Sequence, residues 1–221
     1  MQICWEDAVA YAKWVGKRLP TKAECEFAAR GGRYGSRYFR GDEFGPDRKC
    51  LVNAWTGGFP YRNTQEEGFV GTAPVKSHPP NGYGLYDMAG NVWNWCSDWY
   101  RPDTHAWMAK TRVVCANPTG PLKSFSPVNP YQTERVTKGG SFLCSESYCA
   151  SYPPSARRGL PPDIGMSHVG FSLRERSLAA SAHRNHLSKV SLERLKTPRR
   201  STASLSLMFR HHSLYARHAC Y

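Results

Sequence analysis

Two cysteines, Cys144 and Cys149, stand in the segment GGSFLCSESYC with four residues between them. A thiolate is both a nucleophile and a ligand for soft metal ions, so two thiols in one loop could hold such an ion or cycle between dithiol and disulfide. The spacing alone does not choose between these chemistries, because zinc sites usually use two cysteines separated by two residues. The segment is the first candidate for chemistry in this chain.

Oxygen donors for a hard cation form two further candidates. Carboxylates, amides and backbone carbonyls at glycine turns are the ligands that calcium prefers. One set, in the segment NGYGLYDMAGNVWNWCSDWY, comprises Asp87, the carbonyls of Gly90 and Val92, and Asn94. The other comprises Asn53, the carbonyl of Ala54, Glu67 and the carbonyl of Phe69. On the residues alone, simpler interpretations are preferred: a glycine-rich turn with packed aromatics for the first set, and an Asx-turn beside an unrelated acid for the second.

The elements that must position these residues begin with two predicted helices. Apolar residues at helical spacing predict the first over residues 5–14. Thr21, followed three residues later by Glu24, forms a capping box that predicts a second helix as far as Ala29, and Gly31 and Gly32 then end it. No long periodic segment follows before the C-terminal part, and Gly, Pro and Asn recur every few residues. The prediction is an α+β fold of two N-terminal helices and short strands, with little regular secondary structure.

The composition changes abruptly after Phe171. Of the net charge of +13, residues 172–221 carry +8, from ten Lys/Arg against two Asp/Glu, and they contain neither Gly nor Trp. We therefore predict a folded domain over 1–171 and a basic, disordered tail over 172–221. The alternatives for the tail are a cationic arm that binds phosphates and translation in a wrong reading frame. No zinc spacing or aromatic platform accompanies the charge, so nucleic-acid binding is not expected.

The remaining composition bounds the class of protein. Among the 221 residues, 40% are hydrophobic and 13% aromatic, which excludes a chain that is disordered throughout. No apolar run is long enough to span a bilayer, and no secretory leader opens the chain. The eight cysteines lack the regular spacing of a secreted disulfide framework. We expect a monomeric, cytoplasmic protein that does not bind membranes.

Several separate motifs resemble, in the same order, those of the formylglycine-generating enzyme or sulfatase-modifying factor family. They are WEDAVAYAKWVGKRLPTKAECEFAARGG, EEGFVGTAPVKSHPPNGYGLYDMAGNVWNWCSDWY, RVTKGGSFLCSESYCASY and SHVGF. The resemblance runs from about Trp5 to Phe171 and implies a fold related to C-type lectins. It also implies an oxidase that uses molecular oxygen to convert a sulfatase cysteine, in the motif Cys-x-Pro-x-Arg, to Cα-formylglycine.

The resemblance also implies roles for individual residues. Cys144 and Cys149 would bind Cu(I), and Ser141 beside them would order oxygen or water by hydrogen bonding. Trp93, Tyr148 and Arg157 would contact the substrate, with Trp93 as an apolar wall. For Ser141 and Tyr148 the alternative is simple packing of a polar loop. The two oxygen-rich sets described above would each hold a structural calcium ion.

Four departures from the family pattern bear on these roles. Ser145 stands where the family has His, which excludes a histidine relay there. Asn94 stands where the family has Glu, and the loss of a carboxylate should weaken that calcium site. Cys25 replaces a large core Trp. The segment 152–154 replaces an Arg-rich stretch after the second cysteine.

The ends of the chain also depart from the family pattern. The family's additional N-terminal segment is absent before Met1, and its Arg-Cys continuation is absent after Phe171. We therefore expect an N-terminally truncated copy with a frameshifted end. A non-catalytic relative that acts as a binding module, or an inactive truncated copy, is the alternative to the oxidase. A basic protein that associates with nucleic acid through its tail is a third hypothesis.

Overall fold

Two helices open the chain at the predicted positions. The computed structural model describes residues 2–44, 51–111 and 115–175. Helix α1 spans Trp5–Trp14. Helix α2 spans Lys22–Arg30 and begins with the predicted capping box, in which Thr21 Oγ1 accepts the N–H of Glu24 at 3.2 Å and Glu24 Oε2 accepts the N–H of Thr21 at 2.9 Å. Gly31 ends α2 with φ at +57°, a left-handed conformation that glycine adopts without a Cβ penalty.

A four-stranded sheet forms the centre of the fold. Its order is β4 (Arg158–Leu160), β3 (Arg135–Lys138), β2 (Trp93–Trp99) and β5 (Val169–Phe171). Strand β3 pairs antiparallel with β2 and β4, whereas β5 pairs parallel with β2. The Trp-rich run is thus the central strand, with Trp93 and Trp95 both buried. The predicted α+β fold with short strands and little regular structure is confirmed.

A third helix, α3, spans Thr104–Thr111. The sequence analysis named two N-terminal helices and found no long periodic segment here, so it did not predict this short helix. The segment THAWMAKT does not separate its apolar and polar residues onto two faces, so the periodicity that reveals an amphipathic helix is missing. Good helix formers such as Ala, Met and Lys favour the helix instead.

A small two-stranded ribbon closes the described part of the chain. Strand β1 (Lys17–Arg18) pairs antiparallel with β6 (Arg174–Glu175), and Arg174 Nε lies 3.1 Å from Glu24 Oε1. Strand β6 lies beyond Phe171, the residue at which the sequence analysis ended the folded domain. The predicted disorder of the tail falls mainly on residues 176–221, which lie outside the described residues, and it stays a prediction.

The core has two parts. The larger part packs Ala8 and Leu19 from the N-terminal region against Trp93 and Trp95 of β2, and it includes Cys144. The smaller part lies between α2 and the sheet and consists of Cys25, Cys96 and Val136, with Tyr100 at its margin. None of the helices within the described ranges has the length and apolar character needed to cross a bilayer.

Candidate active site

The two thiols of GGSFLCSESYC meet in one loop that follows β3. Cys144 Sγ and Cys149 Sγ lie 2.7 Å apart, and both cysteines are free. The loop turns back on itself because the carbonyl of Ser145 accepts the N–H groups of Tyr148, Cys149 and Ala150 at 3.0–3.2 Å. Cys144 is buried, with 2% of its surface exposed, whereas Cys149 is only partly buried. One sulfur is therefore anchored in the core and the other is accessible.

The two thiols share a hydrogen bond that makes them chemically unequal. This bond lowers the pKa of Cys149 and raises the pKa of Cys144. Burial raises the pKa of Cys144 further, whereas the Ser151 hydroxyl and the Arg158 guanidinium help to lower the pKa of Cys149. The partly exposed Cys149, beside Ser151 and Arg158, therefore has the lower pKa of the two thiols.

Cys144 is fixed from several directions. The backbone N–H of Cys144 donates to the carbonyl of Ser141 at 2.9 Å. The Cys144 carbonyl accepts hydrogen bonds from the backbone N–H of Trp55 at 2.9 Å and from the Tyr152 hydroxyl. Ser141 is fully buried, and its Oγ lies 3.8 Å from Cys144 Sγ while accepting the N–H of Leu143 at 3.3 Å. The predicted neighbourhood of Ser141 and Cys144 is therefore present, and Ser141 also closes the turn.

The predicted substrate-binding residues lie in three different environments. Tyr148 is 71% exposed beside the thiols, and its ring stacks on Phe59 with centroids 4.5 Å apart. Trp93 is buried in the same core cluster as Cys144. Arg157 is directed elsewhere, because its guanidinium donates to the carbonyl of Pro102 at 3.1 Å. The structure thus brings Tyr148 to the thiol loop, places Trp93 in the core beneath it, and does not bring Arg157 to the thiols.

Two residues that the sequence analysis did not select contact Cys149. Arg158 Nη2 donates to the Cys149 carbonyl at 3.2 Å, and its Nε donates to Ser151 Oγ at 3.4 Å. Ser151 Oγ lies 3.5 Å from Cys149 Sγ. Strand β4 begins at Arg158, and neighbouring residues at a strand end point to opposite sides, so Arg157 and Arg158 diverge. The sequence shows both arginines, but only the start of the strand distinguishes them.

The oxygen-rich set around Asn53 has one observation that favours a cation. Asn53 is 1% exposed, and its Oδ1 is buried without a hydrogen-bond partner within the described structure. Asn53 Nδ2 donates to the Gly71 carbonyl at 2.8 Å, and Glu67 Oε2 accepts the Thr56 hydroxyl at 3.2 Å. These bonds lay the segment that contains Glu67 and Phe69 alongside the one that contains Asn53 and Ala54. A buried oxygen without a partner, in a segment that lies alongside one carrying a carboxylate, fits a calcium ligand set.

The second oxygen-rich set uses its groups within the protein. Asn94 Nδ2 donates to the Val92 carbonyl at 3.1 Å, and Asn94 Oδ1 accepts the Ser172 hydroxyl at 2.9 Å. Asp87 Oδ2 accepts the N–H of Lys76 at 3.0 Å, and burial raises the pKa of Asp87. Both amide atoms of Asn94 are thus satisfied by protein groups. The fit to calcium is poorer here than at Asn53.

Asn91, which the sequence analysis did not select, joins these regions. Asn91 is buried, and its side-chain Oδ1 accepts hydrogen bonds from the backbone N–H of Ala73 at 2.9 Å and from Asn53 Nδ2 at 3.2 Å. The backbone carbonyl of Asn91 accepts the N–H of Phe142 at 2.9 Å. The neighbouring Gly90 has φ at +73°, and a Cβ there would collide with the Asn53 carbonyl. The Asn53 set and the thiol loop are therefore parts of one connected structure.

The thiol pair fits a soft ion of low coordination number. Within the described ranges, no group of three or more His, Cys, Asp or Glu side chains converges on one point. A closed zinc site needs about four such ligands, whereas two thiolates match the donor preference of Cu(I). The donor chemistry of Cys144 and Cys149 therefore fits Cu(I) better than Zn²⁺.

Comparison with known proteins identifies relatives of this chain. The sequence profile of the sulfatase-modifying factor enzyme 1-like domain matches residues 1–176. The chain is 51% identical over 171 residues to the formylglycine-generating enzyme of Thermomonospora curvata, covering 77% of this chain and 53% of the relative. It is 50% identical over 174 residues to the inactive C-alpha-formylglycine-generating enzyme 2 of Mus musculus, covering 77% of this chain and 47% of the relative. The chain thus spans about half the length of these relatives.

Solved structures support the fold. PvdO from Pseudomonas aeruginosa aligns with a TM-score of 0.54 at 21% identity, covering 77% of this chain and 59% of that protein. At this identity the likeness concerns the fold alone. The profile match, by contrast, extends over most of the 221 residues and includes both cysteines of the thiol loop. The chain therefore belongs to the sulfatase-modifying factor enzyme 1-like family.

Proposed function

We propose that this domain acts in sulfatase maturation, by oxidising a cysteine in a Cys-x-Pro-x-Arg motif of a sulfatase to Cα-formylglycine with molecular oxygen. The observation that carries the proposal is the convergence of two free thiols, one anchored in the core and one accessible, 2.7 Å apart. The similarity to formylglycine-generating enzymes supports it. We propose Cys144 and Cys149 as the ligands of Cu(I), whose role when bound is to activate the substrate thiol and oxygen.

The residues of the chain prepare this site before any substrate arrives. Arg158 and Ser151 favour the thiolate form of Cys149, so that a soft ion needs to displace fewer protons. Tyr152 and the backbone around Cys144 hold the buried sulfur in place. The exposed face of Tyr148, stacked on Phe59, offers an apolar platform beside the thiols for the proline of the substrate motif.

The overall reaction fixes what the assay must contain. Converting CH₂SH to CHO releases the sulfur as hydrogen sulfide after hydrolysis of a thioaldehyde. Reduction of oxygen to water takes four electrons, of which the substrate carbon supplies two. A reducing thiol must supply the other two. Formation of the product therefore depends on oxygen and on a thiol reductant as well as on Cu(I).

We further propose that calcium binds at the set of Asn53, Ala54, Glu67 and Phe69. The buried, unpartnered Asn53 Oδ1 supports this site. The set of Asp87, Gly90, Val92 and Asn94 would bind calcium more weakly, because Asn94 already makes two hydrogen bonds within the protein. Calcium at Asn53 would hold the segment that leads through Asn91 to the thiol loop.

A non-catalytic binding module is the second candidate function. It is favoured by a relative that is named inactive and yet is 50% identical to this chain. Overall similarity therefore does not separate an oxidase from an inactive copy, and the thiol loop must do so. A chain that binds the sulfatase peptide but forms no aldehyde would support this second candidate.

A mass-spectrometric assay of the complete 221-residue chain tests the proposed oxidation. The protein is incubated with Cu(I), a reducing thiol and a peptide containing Cys-x-Pro-x-Arg, in air and under argon. The expected product, in air only, is a peptide lighter by the exchange of CH₂SH for CHO that also reacts with a hydrazine probe. The matched control is the same peptide with serine in place of its cysteine, which should remain unchanged. Absence of the aldehyde in air, with a folded and copper-loaded protein, would refute the oxidase.

A further inference from the structure

A second pair of free thiols lies in the smaller part of the core. Cys25 projects from α2 and Cys96 from β2, and their sulfurs are 3.4 Å apart. Cys25 is 7% exposed and Cys96 is completely buried. Neither residue takes part in the site around Cys144 and Cys149, and the proposed oxidation does not use them. This pair is a separate arrangement of two soft donors.

We propose that Cys25 and Cys96 form a second binding site for a soft monovalent metal ion such as Cu(I). Two thiolates are sufficient ligands for an ion that accepts low coordination numbers. Throughout the described ranges no third His, Cys, Asp or Glu joins such a pair, which disfavours Zn²⁺ and other ions that need four ligands. The site therefore favours metal ions that are soft and that accept only two ligands.

The charge at this site is offset in part by a buried lysine. When a monovalent ion binds, each thiol releases its proton to solvent as its sulfur–metal bond forms, and the resulting complex carries one negative charge. Lys138 is 4% exposed and interacts electrostatically with Glu26 and, more weakly, with both cysteines. Its Nζ donates to the carbonyls of Pro154 and Ala156 at 2.7 Å. Lys138, which makes no salt bridge with a described acid, would thus offset part of the negative charge of the complex.

A groove shares one lining residue, Val136, with the core cluster that contains the pair. Its volume is about 340 Å³. His105 and Met108 also line this groove. Burial raises the pKa of Cys96, which favours the protonated form of that thiol.

Counting bound Cu(I) in matched cysteine variants of the complete chain tests this site. The starting variant retains only the two thiol pairs and has serine at the other four cysteines, which are Cys4, Cys50, Cys115 and Cys220. Cu(I) is added anaerobically against an excess of a chromogenic Cu(I) chelator, and bound copper is measured by elemental analysis. We expect two ions per chain in this variant. The absence of any bound ion would overturn the proposal, and a single ion is assigned to one pair by the variants that lack the other.

Removal of each pair then assigns the ions. The Cys25→Ala/Cys96→Ala variant should retain one ion and its formylglycine-forming activity, whereas retention of two ions would overturn the proposal. The Cys144→Ser/Cys149→Ser variant changes the loop rather than the core, so it tests the buried pair even if the alanine variant fails to fold. It should also retain one ion, and retention of none would overturn the proposal. Because the count does not depend on turnover, failure of the second metal site and failure of the proposed oxidation are distinguishable.

Discussion

Removing calcium should destabilise this domain through Asn53. The side chain is 1% exposed, its Nδ2 is bonded to Gly71 and Asn91, and its Oδ1 has no partner among the described atoms. A buried acceptor without a partner costs about 1–3 kcal/mol. A cation contacted by this oxygen removes that cost and binds the native state alone. Chelation should therefore lower the free energy of unfolding.

The size of the effect follows from mass action. Calcium at about 100 times its dissociation constant stabilises the native state by about 2.7 kcal/mol. For a domain of roughly 150–250 residues, 1 kcal/mol shifts the melting temperature by about 2–4 °C. Saturating calcium should therefore raise the melting temperature by about 5–11 °C relative to excess chelator. Magnesium should have a much smaller effect, because it loses its water ligands reluctantly and demands octahedral geometry.

Differential scanning fluorimetry with two matched variants checks the assignment. Glu67→Gln and Asp87→Asn each remove one carboxylate charge with little change in shape. Glu67→Gln should remove most of the calcium-dependent shift, whereas Asp87→Asn should retain most of it. The reverse order would place the tighter site at Asp87 and refute the argument from Asn53. A native chain whose melting temperature is unchanged by calcium would refute the existence of either structural site.

Two further predictions concern charged residues. Arg158→Gln should raise the pKa of Cys149, so the pH midpoint for alkylation of Cys149 by iodoacetamide, measured by peptide mass spectrometry, should move to higher pH. The matched variant Arg157→Gln should leave that midpoint unchanged. Equal effects of both substitutions would refute the contact between Arg158 and Cys149. Glu24→Gln should lower the free energy of unfolding by about 1 kcal/mol at neutral pH, because Glu24 bonds Arg18 and caps α2. The Arg18 bond lowers the pKa of Glu24 from 4.5 to about 2, so this stabilisation is complete above about 4.5 and is lost as the pH falls towards 2. Equal stability of variant and native chain in urea titrations at neutral pH would contradict the second prediction.

Local sequence signals predict the N-terminal part of the fold well. The capping box of Thr21 and Glu24 and the glycine that ends α2 are determined by neighbouring residues, and both are confirmed. The family motifs likewise predict that Cys144 and Cys149 belong together, and their sulfurs do meet. These features depend on short segments whose conformation the residues themselves restrict.

Other features depend on contacts between residues that are far apart in the sequence, and the sequence alone does not reveal these contacts. Arg157 and Arg158 are adjacent in sequence, and only the pairing of β4 with β3 decides which of them faces Cys149. Asn91, like Asn81, stands next to a glycine, and its role becomes visible only when Asn53 and Phe142 lie next to it. The contact between Cys25 and Cys96 joins a helix to a distant strand. Helix α3 lacks the periodicity that would have predicted it.

The rate of formylglycine formation in three cysteine-to-serine variants tests the central claim most directly. Cys144→Ser and Cys149→Ser each leave one thiolate, whereas Cys115→Ser removes an exposed free cysteine as a matched control. All three chains should show native thermal melts. The first two should lose aldehyde formation on the Cys-x-Pro-x-Arg peptide by at least about 100-fold, as expected when a reactive group is removed, and the control should keep the native rate. A native rate in either Cys144→Ser or Cys149→Ser would contradict the assignment of the active site to this pair of thiols.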